Sequence, residues 1–230
     1  MKQLIVVSAG LSTPSTTRHV ADQIAAAVRA QVTARGEDLR VRTVEVRDYA
    51  QDLTQLMLTS IDSPALEALK REISQADGLV AVSPVFQGSY SGLFKMLFDA
   101  LHTDALNAMP TIIAATGGSQ RHALVTEYAL RPLLTYLHAQ VVPTSLFAAT
   151  ADFGSDDGAA LTQRIERAAR ELAQLMLATS GAVAGIAVTA EDSTPPQTQK
   201  QPQPRRSGTD LEEDFVPLGQ LLGGQTETHD

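Results

Sequence analysis

Residues 4–32 read LIVVSAGLSTPSTTRHVADQIAAAVRAQV. Leu4, Ile5, Val6 and Val7 are uniformly apolar, as in a strand buried on both faces of a sheet rather than one with a wet side. They run directly into a loop, SAGLSTPSTTR at 8–18. Behind its hydroxyls Val20, Ile24, Val28 and Val32 recur every four residues, one stripe of an amphipathic helix. This unit of strand, polar loop and helix recurs along the chain. Short apolar or β-branched runs return at 41–46, 79–82, 111–115 and 141–147. Between them, Pro64 opens a helical pattern after Ser63, with Leu66, Leu69 and Ile73 on one stripe. Leu93, Leu97 and Leu101 follow Gly92, while Leu124, Tyr128, Leu133 and Leu137 form a further face. Leu161, Ile165, Ala168, Leu172 and Leu175 form the last.

Alternation of five strands with five helices through short connections predicts an α/β fold, a parallel sheet with helices on both faces. Five strands within residues 1–180 fit the flavodoxin-like strand order 2-1-3-4-5 better than a six-stranded dinucleotide-binding sheet. The chain has 230 residues, of which 43% are apolar and 19% charged, enough for one domain and an appendage. No run approaches the roughly 18–20 apolar residues of a membrane span, and the opening apolar stretch is too short for a secretion signal. A cytoplasmic protein without membrane contact is therefore expected. With no cysteine there is no disulfide, thiol nucleophile or Cys-held metal, and the five histidines lack metal-binding spacing. A net charge of −8 argues against a nucleic-acid partner. Most of that charge is terminal, because residues 191–230 hold eight acids against three bases. Residues 193–209, STPPQTQKQPQPRRSGT, carry no large apolar side chain, so residues 181–214 are expected to form a disordered linker. Beyond it, FVPLGQLL at 215–222 is an apolar island in the tail 215–230, suited to docking on the parent fold or on a partner.

In such sheets ligands bind outside the carboxyl ends of the strands, which directs attention to three loops. The first supplies six hydroxyls, Gly10 and Arg18 where a helix begins, an arrangement suited to a phosphate. It carries neither a G-K-[ST] motif nor G-x-G-x-x-G, and a polar turn with an N-cap explains it equally well. The second loop, SPVFQGSYSG at 83–92, joins a rigid proline to two aromatics, two glycines and several amides and hydroxyls. It suits a flat polar heterocycle, although its aromatics also suit a core. The third, TGGSQRH at 116–122, has paired glycines that let backbone amides approach a ligand. Three such loops at the strand ends of one sheet argue together for a site.

The segments SPVFQGSYSGLFK (83–95), TGGSQRH (116–122) and EYALRPL (127–133) resemble the NAD(P)H-dependent FMN reductases of two-component monooxygenase systems, the sulfonate-utilisation FMN reductases among them. The resemblance spans about residues 3–178. It implies a flavodoxin-like fold whose first loop holds the FMN phosphate, with Ser8, Ser12, Ser15, Thr16, Thr17 and Arg18 as the matching positions. It implies that Pro84, Val85, Phe86, Gln87, Gly88, Ser89 and Tyr90, with Thr116, Gly117, Gly118 and Ser119, border the isoalloxazine. His122 is a candidate contact for nicotinamide or phosphate. The helix through Tyr128, Ala129 and Leu130 would lie at the subunit interface of a homodimer or homotetramer. The implied partner is a flavin-dependent monooxygenase that takes FMNH2. Two departures stand out: the first loop differs from the usual G-S-x-R-x-x-S-x-[ST] spelling, and the chain extends past the compact members.

Hydride transfer from NADH or NADPH to FMN is chemistry the cofactors supply, so no side chain is assigned a catalytic role. Rival readings on the same fold are a quinone or azo reductase with resident FMN and an electron carrier without nucleotide activity. A non-catalytic binding module is a third. For a nucleotide 2′-phosphate, Arg18, Lys95 and Arg121 are equal candidates.

Overall fold

The computed structural model describes residues 1–152, 157–178 and 205–207. Apart from Arg205, Arg206 and Ser207, the expected linker and tail lie outside the described residues. The described strands are β1 (Lys2–Ser8), β2 (Leu39–Glu45), β3 (Gly78–Phe86), β4 (Ser89–Tyr90), β5 (Pro110–Gly117), β6 (Gln140–Val141) and β7 (Leu146–Ala149). The helices are α1 (Thr16–Thr33), α2 (Ala50–Thr59), α3 (Pro64–Gln75), α4 (Gly92–Asp99), α5 (Arg131–Tyr136) and α6 (Asp157–Ala178). A π turn, Thr126–Leu130, leads into α5. The sheet order is β2-β1-β3-β5-β6, with β7 also paired to β5 and β4 to β3. All pairings are parallel except β3 with β4.

The period-2 geometry of a strand sends successive side chains to opposite faces, and in β1 both faces are apolar. Leu4 and Val6 pack with Val20, Ile24 and Val28 of α1 and Ile165, Leu172 and Met176 of α6. Ile5 and Val7 pack on the other side with Leu53 of α2, Leu66, Leu69 and Ile73 of α3, and Phe94 and Leu97 of α4. Helix starts follow their caps. The Ser15 hydroxyl accepts from the Arg18 amide at 3.2 Å, and Ser63 accepts from the Leu66 amide at 3.1 Å, one residue before Pro64.

Two expectations need correction. The expected fifth strand, residues 141–147, is two short strands that both lie along β5. Pro143 has no N–H to donate to a ladder, so pairing stops there. Side chains satisfy the main chain across the break. Arg131 donates to the carbonyls of Val142 (3.1 Å) and Pro143 (3.3 Å), and Glu171 accepts from the Thr144 amide (2.9 Å) and hydroxyl (2.8 Å). The sheet thus has seven strands where five were expected, but the parallel order is retained. The second difference is α2, a sixth helix, in which only Leu53 is fully buried while Leu56 packs partly buried against the same core.

Within the segment expected to be a linker, Arg205 docks on the domain. Its Nε donates to the Asn107 carbonyl at 2.8 Å, and Nη1 donates to the Ala76 carbonyl. Both carbonyls precede strands, so the anchor sits at the amino-terminal rim of the sheet. Burial in this notch pulls the guanidinium below its ordinary pKa, against the attraction of Asp77. Replacing Arg205 with Ala should lower stability by about 1–2 kcal/mol, as expected for charged hydrogen bonds at a half-exposed site, and leave nucleotide kinetics unchanged. Urea unfolding together with steady-state assays checks both.

Burial disfavours the charge on Glu171, but bonds from Thr144 and Arg167 outweigh it and its pKa lies below the usual carboxylate value. A carboxylate with a depressed folded pKa stabilises the fold above its unfolded pKa and loses that contribution as pH falls through the folded one. Glu171→Gln should therefore flatten the loss of stability below about pH 4.5 and cost about 1 kcal/mol at pH 7. Urea midpoints across pH 3–7 measure this.

Candidate functional site

The carboxyl ends of β1, β3 and β5 lie side by side, with Ser8 opposite Val82 and Val82 opposite Ala114. In the loop after β1, Gly10 lies hard against the head of α1: a Cβ there would fall 2.0 Å from the Ser15 hydroxyl. That hydroxyl is spent capping α1, whose first bond within the helix is from the His19 amide to the Ser15 carbonyl. The Thr16 and Thr17 amides precede this bond and head the helix without a helical acceptor, the usual state of a first turn. Arg18 is drawn elsewhere: it bonds Asp22 at 2.9 Å and Glu45 at 2.8 Å, and these contacts raise its pKa despite partial burial. Glu45 also holds Arg47, which braces the loop through the Ser12 carbonyl at 3.1 Å and the Thr13 hydroxyl at 2.6 Å. Ser8 is buried, and its hydroxyl has no hydrogen-bond partner among the described residues.

The second loop is a hairpin. β3 continues to Phe86, and β4 returns from Ser89 around Gln87 and Gly88, both with positive φ (49° and 76°). This is the backbone of a two-residue turn matched to strand twist. At its base the Ser83 hydroxyl accepts from the Ser91 amide at 2.9 Å, and Ser91 caps α4. Phe86 is 46% exposed, so its ring is presented rather than packed. Tyr90 instead leans on Phe94, with centroids 5.8 Å apart.

At the end of β5 the Thr116 and Thr17 hydroxyls share a buried hydrogen bond of 2.8 Å, tying the head of α1 to the third loop. Gly117 is crowded, since a Cβ there would approach the Phe147 ring at 3.0 Å. Gly118 faces open space, and a Cβ there would meet nothing within 4 Å. Ser119 accepts from the Arg121 amide at 3.3 Å and starts the turn Gln120–His122.

Together the loops enclose a cleft of about 370 Å³ lined by Gly10, Leu11, Ser12, Thr16, Thr17, Pro84, Val85, Phe86, Thr116, Gly117, Gly118 and Thr150. Nine of the sequence candidates thus meet: Ser12, Thr16, Thr17, Pro84, Val85, Phe86, Thr116, Gly117 and Gly118. Gly88, Ser89 and His122 line an adjoining cleft of about 390 Å³ with Arg121 and Tyr128. Ser8, Ser15, Arg18, Gln87, Tyr90 and Ser119 line neither. Gly10, noted as the glycine of the first loop, lines the first cleft too, and Leu11 and Thr150 line it without having been singled out. Thr150 follows β7, an end hidden by reading 141–147 as one strand, and apolar Leu11 carries no binding signal. A larger hollow of about 760 Å³ lies between the π turn and α6. Its charged groups are already engaged: Glu127 by Arg131, Asp152 by Gln120 and the Ala149 amide, and Arg164 by the Ser145 carbonyl.

Comparison with known proteins identifies the family. A "NADH-dependent FMN reductase SfnE" of Pseudomonas putida is 36% identical over 174 residues, covering 75% of this chain and 91% of that protein. An "FMN reductase (NADPH)" of Pseudomonas aeruginosa is 37% identical over 153 residues, covering 66% and 78%. The crystal structure of an oxidoreductase from Corynebacterium diphtheriae superposes with a TM-score of 0.76 at 57% identity, covering 77% of this chain and 98% of that one. Residues 1–154 match the family described as NADPH-dependent FMN reductase, and the chain belongs to that family.

Proposed function

We propose that this chain reduces FMN with NADH or NADPH and releases the reduced flavin to a flavin-dependent monooxygenase. The reduction is the activity of the family to which the chain belongs, and FMN with NADH or NADPH is the family's cofactor set. Delivery to a monooxygenase is the finer part of the reading. The observation that carries the flavin assignment is the open face at Gly118, set beside the head of α1 in one cleft.

The residues present fit FMN. The Thr16 and Thr17 amides, the positive end of the α1 dipole and the Ser12, Thr16 and Thr17 hydroxyls form a cradle for a phosphate dianion. Pro84, Val85 and Phe86 form one wall for a ring, and Gly118 leaves bare backbone in the same cleft. When bound, FMN supplies the hydride acceptor itself. The protein's part is to fix the ring and leave one side accessible. The Thr17–Thr116 bond holds phosphate cradle and ring wall in constant relation, which is the positioning that hydride transfer needs. Exposed Phe86 and Leu11, in a chain without tryptophan, leave little aromatic surface to retain the flavin. This favours FMN as an exchangeable substrate.

The exposed Tyr128 and Tyr136 border a groove of about 570 Å³ between α4 and α5, which supports self-association there as a dimer or tetramer. Among the described residues no helix is long and apolar enough to cross a membrane.

The decisive assay is oxidation of NADH and NADPH by the purified full-length chain with and without added FMN. Turnover that saturates with added FMN, from a nearly colourless preparation, is expected. A yellow protein indifferent to added FMN but active on a quinone would overturn the exchange of flavin.

Gly118→Val offers a sharper check. The new side chain meets nothing within the fold but fills the space assigned to the ring. It should weaken FMN binding at least tenfold, about 1.4 kcal/mol, with an unchanged urea midpoint. Flavin fluorescence titration measures the first and circular dichroism the second. Equal FMN affinity in both proteins would remove the ring from this face.

A further inference from the structure

We infer that Arg121 binds the 2′-phosphate of NADPH and sets the preference for NADPH over NADH, an inference that rests on the reductase reading above. A 2′-phosphate is a near-dianion with three acceptor oxygens, and a guanidinium is the side chain that meets such a group with two parallel hydrogen bonds. Three cations competed for this role in the sequence, and the fold separates them. Arg18 is occupied by Asp22 and Glu45 on the side of β2, away from the ring wall. Lys95 is paired with Asp99 one helical turn along α4, so a phosphate there would meet a carboxylate as well.

Arg121 differs on each count. It lies three residues beyond Gly118, on the turn Gln120–His122 that leads directly out of the flavin cleft. It lines the second cleft, of about 390 Å³, together with Gly88 and Ser89 of the hairpin carrying Phe86. Among the described residues, no acidic group forms an ion pair with its guanidinium. The nearby acids are engaged: Glu127 by Arg131, and Asp152 by Gln120 and the Ala149 amide. The turn is also fixed. The Gln120 side-chain Nε2 donates to both Asp152 carboxylate oxygens at 3.1 and 3.0 Å, and the Arg121 backbone N–H donates to the Ser119 hydroxyl at 3.3 Å. A nucleotide whose nicotinamide lies on the exposed side of the flavin extends its adenosine half along this second cleft, past Tyr128 and Leu124, toward the cation.

The test uses the full-length chain and its Arg121→Ala and Arg121→Lys variants. With saturating FMN, kcat/KM for NADPH should fall about tenfold in Arg121→Ala, as expected for loss of charged hydrogen bonds at an exposed site. The loss should fall mainly on KM, with NADH values unchanged and partial recovery in Arg121→Lys. Calorimetric titration with 2′,5′-ADP should show the same tenfold loss, while 5′-AMP binds all three proteins alike. FMN affinity should not move, and Lys95→Ala should keep the wild-type ratio of NADPH to NADH activity. Equal effects on both nucleotides, or none on 2′,5′-ADP, would overturn the role of Arg121 and leave the reductase reading intact. A wild-type chain that oxidises neither nucleotide with FMN present would overturn that reading and this inference with it.

Discussion

Ser8, Val82 and Ala114 lie in one row across the sheet, and the site depends on that alignment. Parallel pairing in this register brings β1, β3 and β5 to an end close to one another, so the chain must leave the sheet three times in the same small region. Every departure needs polar backbone and turn residues, because the hydrogen-bond ladder no longer satisfies the main chain. Hydroxyls, glycines and a proline gather there for that reason, while the strands behind them are apolar on both faces. The cleft is therefore a product of sheet register first and of loop chemistry second. The Thr17–Thr116 bond turns this adjacency into a fixed distance between helix head and ring wall.

The parts of the fold that read clearly in the sequence are those whose burial is complete. Residues 4–7 and 79–82 are apolar on both faces of the sheet and announce themselves as parallel strands. The stripes of α1 and α6 recur because both helices cover the same face of the sheet. Helix α2 is faint because its stripe, Leu53, Leu56 and Met57, spans little more than one turn and only Leu53 is fully buried. Residues 141–147 look like one strand by their apolar flanks, Val141-Val142 and Leu146-Phe147, yet Pro143 between them is the legible sign of the break, because it has no N–H for the ladder. The hairpin at Gln87 and Gly88 is similar. A loop of turn residues is legible, but its closure into a second strand depends on Ser83 reaching the Ser91 amide.

The candidate site divides along the same line. Residues read from their position in a loop, such as Thr16, Thr17, Pro84 and Gly118, line one cleft. Residues whose role depends on a distant partner do not. Arg18 stands at the helix head in sequence, yet Glu45, 27 residues further on, draws its guanidinium away. Ser15 offers a hydroxyl that the cap of α1 consumes. Conversely, Leu11 and Thr150 reach the cleft through geometry alone, one as an apolar residue in a polar loop and the other from the far side of the broken strand.

The Arg205 anchor has a consequence for the shape of the whole unit. Lys2 opens β1 and holds Asp77, the residue after the carbonyl that Arg205 grips. Met176, near the end of α6, packs over Gly78 at the start of β3. The first strand, the end of α6 and Arg205 thus gather at one rim, about 20 Å from the cleft by the rise of β3 from Gly78 to Pro84. Among the described residues, the start of β1 and the end of α6 therefore both lie on the side of the sheet away from the cleft. A second domain fused ahead of Lys2 would emerge at that rim and leave the mouth of the cleft clear of its attachment point.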